Sequence, residues 1–262
     1  MKNIFDLSGK IAIVTGGYGH LGSVMVHSLA SFGAKVIVAG RSQEKFEARF
    51  RDFKAGNVFF KQCDILNAGT LASVFKNTSD EFGKIDVLIN NATSAQGSSP
   101  DNMADDDWTY SMEAVLGSVH KAIREILPFM KKQHLGKIIN ISSMYGVVSP
   151  DFKLYEGDDC EKYLNPPHYG AAKAAILQLT RYYASYLGKY NINVNAITPG
   201  PFPSVEVQKA NPEFIERLKA KNPLHKIGTP DDLAGVCVLL SSNASDFITG
   251  QNFVVDGGWT IL

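Results

Sequence analysis

Tyr169-Gly-Ala-Ala-Lys173 sets a phenol and an ammonium four positions apart at the head of a strongly helical stretch. That spacing puts both side chains on one helix face. A phenol with an ordinary pKa of about 10 exchanges protons poorly at neutral pH until a nearby cation stabilises its phenolate. Lys173 would supply that cation, so the pair suits proton transfer to or from a carbonyl or alcohol oxygen. It is the only Tyr-x-x-x-Lys in the chain, although ten tyrosines make one such pair expected by chance. Upstream, a β-rich run ends at Asn140-Ile141-Ser142-Ser143. A serine hydroxyl at a strand's carboxyl end can hydrogen-bond a substrate oxygen and stabilise a developing alkoxide. Two serines after a strand are equally an ordinary loop.

A second chemistry stands near the N-terminus. The first β-rich run leads directly into Thr15-Gly16-Gly17-Tyr18-Gly19-His20-Leu21-Gly22 and then a helical stretch. A glycine-rich turn between strand and helix lets backbone N–H groups and the positive helix end approach a pyrophosphate. The plainer reading is a tight turn that needs positive φ. The second strand ends in Ala39-Gly40-Arg41-Ser42, where NAD-binding turns usually carry an acidic residue for the ribose 2′-hydroxyl. Gly40 and Arg41 instead leave room and charge for a 2′-phosphate, which favours NADP over NAD. Arg41 and Lys45 also fit as solvated charges. Asp64, after the third strand, suits either the adenine edge or a helix cap.

These residues need elements to hold them. Candidate strands cover 10–15, 35–39, 58–62, 85–90, 137–141, 192–197 and 251–255, with helical stretches near 20–32, 42–53, 68–82, 104–133, 168–188 and 230–242. Strands alternating with helices imply a parallel sheet covered on both faces, and the near-continuous apolar strands agree. The expected architecture is a single α/β Rossmann-type domain over 1–262, a doubly wound sheet of about seven strands. Two long segments break the rhythm, 146–167 and 199–223, and both follow strands at the ligand-binding edge.

Composition narrows the class. The 262 residues are 45% hydrophobic, ample for a core, and 26 basic residues balance 26 acidic ones. A neutral chain gives no global argument for nucleic acid or an anionic membrane. Cys63, Cys160 and Cys237 are too scattered for a disulfide framework or a metal site, which points to a reducing, cytoplasmic setting. No run approaches the ~18 apolar residues of a membrane span.

Taken together, these motifs resemble the short-chain dehydrogenase/reductase family in its single-domain form. The match runs from the Thr-Gly turn through Asn90-Asn91-Ala92, Asn140-Ile141-Ser142-Ser143, Tyr169 to Lys173 and Pro199-Gly200 to Ile248-Thr249-Gly250-Gln251 and Asp256-Gly257-Gly258. The resemblance implies a hydride exchanged between NADP or NAD and a small carbonyl or alcohol substrate. It implies Tyr169 as general acid/base, Lys173 as its partner and Ser143 as the group polarising the substrate. Cofactor contacts are implied at Gly16, Tyr18, His20, Leu21, Gly22, Arg41, Asp64, Ile65, Asn91, Ala92, Tyr169 and Lys173. Pro199, Gly200 and Phe202 belong to the 197–204 segment that would wrap the nicotinamide. Family members are usually homotetramers or dimers built partly through the helices near 104–133 and 168–188.

The chain also departs from the family. The second turn glycine falls at His20, and the usual Asn-Asn-Ala-Gly ends in Thr93. The asparagine of a proton relay falls near Val115, with no Asn anywhere from 108 to 130, so proton delivery to Lys173 is expected to take another route, such as water held by backbone. Ser143 and Tyr169 lie 26 positions apart, about twice the family's common separation. The extra segment should cover the active site and offer Asp151, Glu156, Asp158, Asp159 and Glu161 to substrate hydroxyls, or else to solvent. The pattern resembles the family's extended branch, which acts on nucleotide sugars, and favours a sugar-like substrate. Two alternatives stand beside it: a 3-oxoacyl-carrier-protein reductase and a non-catalytic dinucleotide sensor. His168 is the one histidine placed to touch substrate, while Tyr182, Tyr183, Tyr186 and Tyr190 read as packing or subunit contact.

Overall fold

Apolar residues on both sides of each strand dictate the layering. In the first strand Ile11 and Ile13 pack with one helical layer, while Ala12 and Val14 pack with the other. The computed structural model describes residues 3–53, 56–96, 99–156 and 163–262. Seven strands, β1 (Ile11–Thr15), β2 (Lys35–Gly40), β3 (Val58–Gln62), β4 (Val87–Asn90), β5 (Gly136–Ile141), β6 (Ile192–Pro199) and β7 (Asn252–Val255), form one sheet. Their order is 3-2-1-4-5-6-7 and every pairing is parallel. The order reverses between β1 and β4, the crevice where such sheets bind ligands beyond their carboxyl ends.

Helices α1 (Gly22–Ser31), α2 (Gln43–Phe50) and α9 (Ala234–Ser241) cover one face, where Met25, Leu29, Phe50 and Leu240 are buried. Helices α3 (Ala68–Phe82), α5 (Ser118–Gln133) and α6 (Pro167–Leu187) cover the other through Phe75, Ile123, Ile126 and Ile176. The single helix expected over 104–133 is one helical run with an internal change of pitch. It consists of α4 (Asp105–Met112), a π turn over Glu113–Gly117, then α5. Pro167 opens α6 at its first position, where a missing N–H costs nothing.

A third apolar cluster sits above the carboxyl edge and joins the two irregular segments. Helices α7 (Val205–Ala210) and α8 (Pro212–Lys221) occupy most of 199–223, where the sequence pattern gives one short amphipathic piece. Asn211 supplies the stop and start, its side chain capping α8 through the Phe214 N–H. Phe214, Ile215 and Leu218 of α8 pack on Leu154 and Tyr155 of the 146–167 segment and on Trp259 near the C-terminus. Asp158, Asp159, Cys160 and Glu161 lie outside the described residues. Cys63 and Cys237 are free, buried thiols. Among the described residues no helix is long and apolar enough to cross a membrane.

One buried charge ties the sheet to its far end. Lys137 on β5 is 3% exposed, and its ammonium donates to Asn193 Oδ1 at 3.0 Å and Asp246 Oδ1 at 2.8 Å. Burial pushes its pKa down and Asp246 pushes back. Asp246→Ala leaves the ammonium without its one anionic partner among the described residues and should cost about 1–3 kcal/mol near neutrality. Because the folded-state pKa is depressed, the penalty is full below that pKa and fades as pH rises toward the ordinary lysine value. Urea unfolding of the variant at pH 7 and pH 9.5 measures this, and a penalty independent of pH would show that no buried charge is involved.

Candidate active site

Helix α6 crosses the end of β5 so closely that backbone meets backbone. The Ser142 hydroxyl donates to the Lys173 carbonyl at 2.8 Å, and a Cβ on Gly146 would fall 2.7 Å from the Lys173 carbonyl carbon. This contact aims Lys173 under the strand end, where its side chain is 4% exposed and its Nζ donates to the Ile141 carbonyl at 2.9 Å. Nζ lies 5.6 Å from the centre of the Tyr169 ring, one helical turn back. Ser143, also buried, stands at the β5 terminus opposite the phenol. Burial lowers the Lys173 pKa to about 8 and raises that of Tyr169, a hydrogen bond with Ser143 opposing the rise. At neutral pH the pair is therefore a protonated phenol beside a mostly charged amine, able to donate a proton and then hold the phenolate.

The three side chains line one cleft of about 350 Å³. His20, Leu21 and Gly22 from the first turn form its far wall, Asn91 its floor, and Pro199, Gly200 and Phe202 its roof. The turn is locked from beneath. Thr15 Oγ1 accepts the N–H groups of Asn91 and Ala92, both at 3.0 Å, and the Asn91 amide donates back to the Thr15 and Gly16 carbonyls. A Cβ on Gly22 would collide with the Gly16 carbonyl, so glycine is required there and the start of α1 stays open to a ligand. His20 in place of glycine spans the cleft, its Nε2 within 3.1 Å of the Phe202 carbonyl. The residues present fit a dinucleotide: a backbone cradle at a helix start, joined to a buried amine with a single described protein acceptor.

The remaining sequence-expected contacts lie beside the cleft, at the ends of the neighbouring strands. Tyr18 lays its ring over Gly40, where any Cβ would strike it, and its hydroxyl accepts the N–H groups of Arg41 (3.1 Å) and Ser42 (3.3 Å). Arg41 and Lys45 are exposed at the start of α2. Arg49, which sequence reasoning passed over, donates from Nε to the Tyr18 carbonyl at 3.3 Å. Its signal was the i, i+4 spacing of Lys45 and Arg49 on one face of α2. Asp64 and Ile65 follow β3, half-buried. The Asp64 carboxylate caps its own turn through the Leu66 N–H at 3.0 Å, while Asn67 caps α3.

Other expectations need correction. His168 does not reach the substrate side. It is fully buried, its Nε2 lies 2.6 Å from the Gln96 carbonyl and its ring packs edge-on to Trp108. Asp151 faces Lys221 at 2.5 Å and caps Lys153, and Glu156 is exposed, so neither lines the cavity beyond Tyr169. That cavity is walled by Tyr145, Tyr155, Tyr163 and Phe214, none of which sequence reasoning assigned to substrate. Tyr145 had a visible signal, two places after Ser143. Val115, at the family's asparagine position, is buried within the π turn, and the polar group behind Lys173 is the Ile141 carbonyl.

Comparison with known proteins agrees with this geometry. Residues 20–260 match the family model described as enoyl-(acyl carrier protein) reductase. The chain is 32% identical to 2-dehydro-3-deoxy-D-gluconate 5-dehydrogenase of Dickeya dadantii, over 98% of each protein. It is 29% identical to a 3-oxoacyl-[acyl-carrier-protein] reductase of Thermotoga maritima, over 97% of this chain and 99% of that one. Among solved structures it resembles a gluconate 5-dehydrogenase from Burkholderia cenocepacia in complex with NADP and tartrate, with a TM-score of 0.87, 28% identity and coverage of 99% and 98%. A doubly wound sheet, a phosphate-type turn and a Ser-Tyr-Lys cleft thus sit on a chain aligned almost end to end with such enzymes, and the protein belongs to the short-chain dehydrogenase/reductase family of NAD(P)-dependent oxidoreductases acting between alcohols and ketones.

Proposed function

We propose that this protein is an NADP-preferring oxidoreductase that interconverts a secondary alcohol and a ketone on a sugar or sugar derivative. The observation that carries the reading is the convergence of Ser143, Tyr169 and buried Lys173 on one cleft that the glycine turn also lines. Tyr169 acts as general acid in reduction, giving its phenolic proton to the substrate oxygen. Ser143 holds that oxygen by a hydrogen bond, and the Lys173 ammonium stabilises the phenolate that remains. A nicotinamide held by the glycine turn, Lys173 and the Pro199–Phe202 segment would supply or accept the hydride at the substrate carbon. In oxidation the same residues run in reverse, the phenolate taking the alcohol proton.

The sugar reading draws on the gluconate-type relatives and on Tyr155, Tyr163 and Asn165 of the 146–167 segment, which line the cavity past Tyr169. The whole chain works as one unit in which 146–167 and 199–223 supply the substrate side. Its buried free thiols, Cys63 and Cys237, suit the cytoplasm. A homo-oligomer, tetramer or dimer, is the expected assembly. Trp108 (41% exposed) and Tyr182 (62%) line a largely apolar groove between the α4–α5 run and α6, a face suited to a second copy. Light scattering should give a multiple of the chain mass that falls for Tyr182→Glu, and a monomeric parent would refute the assembly.

Tyr169→Phe should cut turnover by about 10²–10⁴-fold or more while leaving NADPH affinity within a few-fold, since only the proton donor is lost. Near-normal turnover would remove Tyr169 from the mechanism. A protein that binds dinucleotide tightly yet turns over neither keto-sugars nor a 3-oxoacyl thioester would revive the sensor reading.

Arg41→Ala should weaken NADPH binding by roughly tenfold or more, with little change for NADH, because only NADPH carries the 2′-phosphate. Fluorescence titration with both nucleotides decides it. Equal losses would sink the phosphate assignment.

A further inference from the structure

Past Tyr169 the carboxyl edge opens into an adjoining cavity of about 250 Å³ that shares Ser143, Tyr169, Gly200 and Phe202 with the cleft. That is below the ~300–1,000 Å³ typical of drug-sized ligands and suits a single small ring. No described residue lining it carries a charge. The cations nearby are engaged elsewhere. Lys221 faces Asp151, Arg217 Nε donates to the Leu154 carbonyl at 3.1 Å, and Lys173 lies beneath Tyr169 on the Ile141 carbonyl.

What the cavity offers is aromatic surface and neutral hydrogen-bonding groups. Tyr163 stacks on Phe214 with ring centres 5.2 Å apart and 20° between planes, and Tyr155 tilts against the same ring at 5.4 Å. The hydroxyls of Tyr145 and Tyr155 hydrogen-bond to each other, and both side chains are buried. Burial pushes both phenols above their ordinary pKa, so both keep their protons at neutral pH. Two phenols sharing one hydrogen bond use one proton between them, which leaves the acceptor's own proton to donate. Asn165, at the same wall, adds an amide with both donor and acceptor.

We infer that this cavity takes an uncharged, polyhydroxylated ring and rejects open-chain sugar acids. The flat apolar face of such a ring can lie on Tyr163, which the buried Phe214 ring backs, while its hydroxyls meet the Tyr145–Tyr155 pair and Asn165. A carboxylate in the same place would lose its hydration with no described cation to replace it. The inference rests on the reading of Tyr169 as the proton-transfer group, because that reading makes this cavity the substrate side. It departs from the gluconate-named relatives on a physical ground, the absence of a cation among the described lining residues. Tyr145, Tyr155, Asn165 and Phe214 become the specificity-determining residues.

The test separates binding from turnover. The Tyr169→Phe protein, saturated with NADP, is titrated by calorimetry with D-glucose and myo-inositol as neutral rings and with gluconate as the open-chain acid. At least one ring should bind about tenfold or more tightly than gluconate, and Tyr155→Phe, nearly isosteric, should weaken ring binding by roughly three- to tenfold. Gluconate binding as tightly as the rings, or neither ring binding, would overturn the inference. Full turnover by Tyr169→Phe with the ring preference intact would overturn the Tyr169 assignment and leave the pocket assignment standing.

Discussion

Everything at the active edge depends on keeping an ammonium inside the protein. Lys173 is nearly inaccessible and gives one described hydrogen bond, to the Ile141 carbonyl. Burial makes that charge expensive, which is why its pKa sits near 8 rather than at the ordinary lysine value. The cost is met by position. The ammonium lies against the strand-end carbonyl on one side and the Tyr169 ring on the other. Such a position exists only because α6 docks directly on the Ser142–Gly146 turn, through the Ser142 hydroxyl and the close approach at Gly146 and Gly170. A side chain larger than hydrogen at Gly146 would lift α6, and with it Lys173, from the sheet.

The parallel sheet turns that local requirement into a site. All seven strands point their carboxyl ends to one edge, so Thr15, Asn91, Ser143 and Pro199 arrive together although they are distant in sequence. Thr15 and Asn91 bind each other's backbones and fix the segment after β4 relative to the end of β1. The rigid parts of the machinery are therefore strand ends. The adaptable parts are the two long segments stacked above them, held by their own apolar cluster around Phe214 and Tyr155. Catalytic geometry and substrate choice rest on different layers of the molecule, which lets one change without the other.

That division also explains what the sequence discloses. Strands buried on both faces must be apolar throughout, and their bounds agree with the sequence expectation to within two residues. Tyr169, Lys173 and Ser143 are legible because their chemistry demands those types at that spacing. The π turn at Glu113–Gly117 is not, because Glu-Ala-Val-Leu-Gly is compatible with ordinary α-helix and carries no residue that marks the change of pitch. The break between α7 and α8 is signalled by Asn211-Pro212, a cap followed by a first-position proline. His168 misleads because adjacency to Tyr169 in sequence means a rotation of about 100° on a helix, which turns it toward Gln96 and Trp108. The two described acids of 146–167, Asp151 and Glu156, mislead by composition. Asp151 is drawn to Lys221, while the less conspicuous tyrosines of the neighbourhood face the cavity.

The two departures from the family pattern have opposite structural weight. Val115 replaces an asparagine with a side chain that is simply buried, and the polar work behind Lys173 falls to a backbone carbonyl that no substitution can remove. His20 replaces a glycine with a side chain that creates a new contact, bridging the first turn to the Phe202 carbonyl. Its ring joins the phosphate end of the cleft to the roof formed after β6. The 199–204 segment is thereby tied to the first turn by a side-chain contact that glycine at this position could not make. A chain that loses one hydrogen-bonding side chain and gains another near the same cleft has redistributed the site's polar contacts, and the Ser-Tyr-Lys geometry survives because it hangs on α6 and β5, which neither change touches.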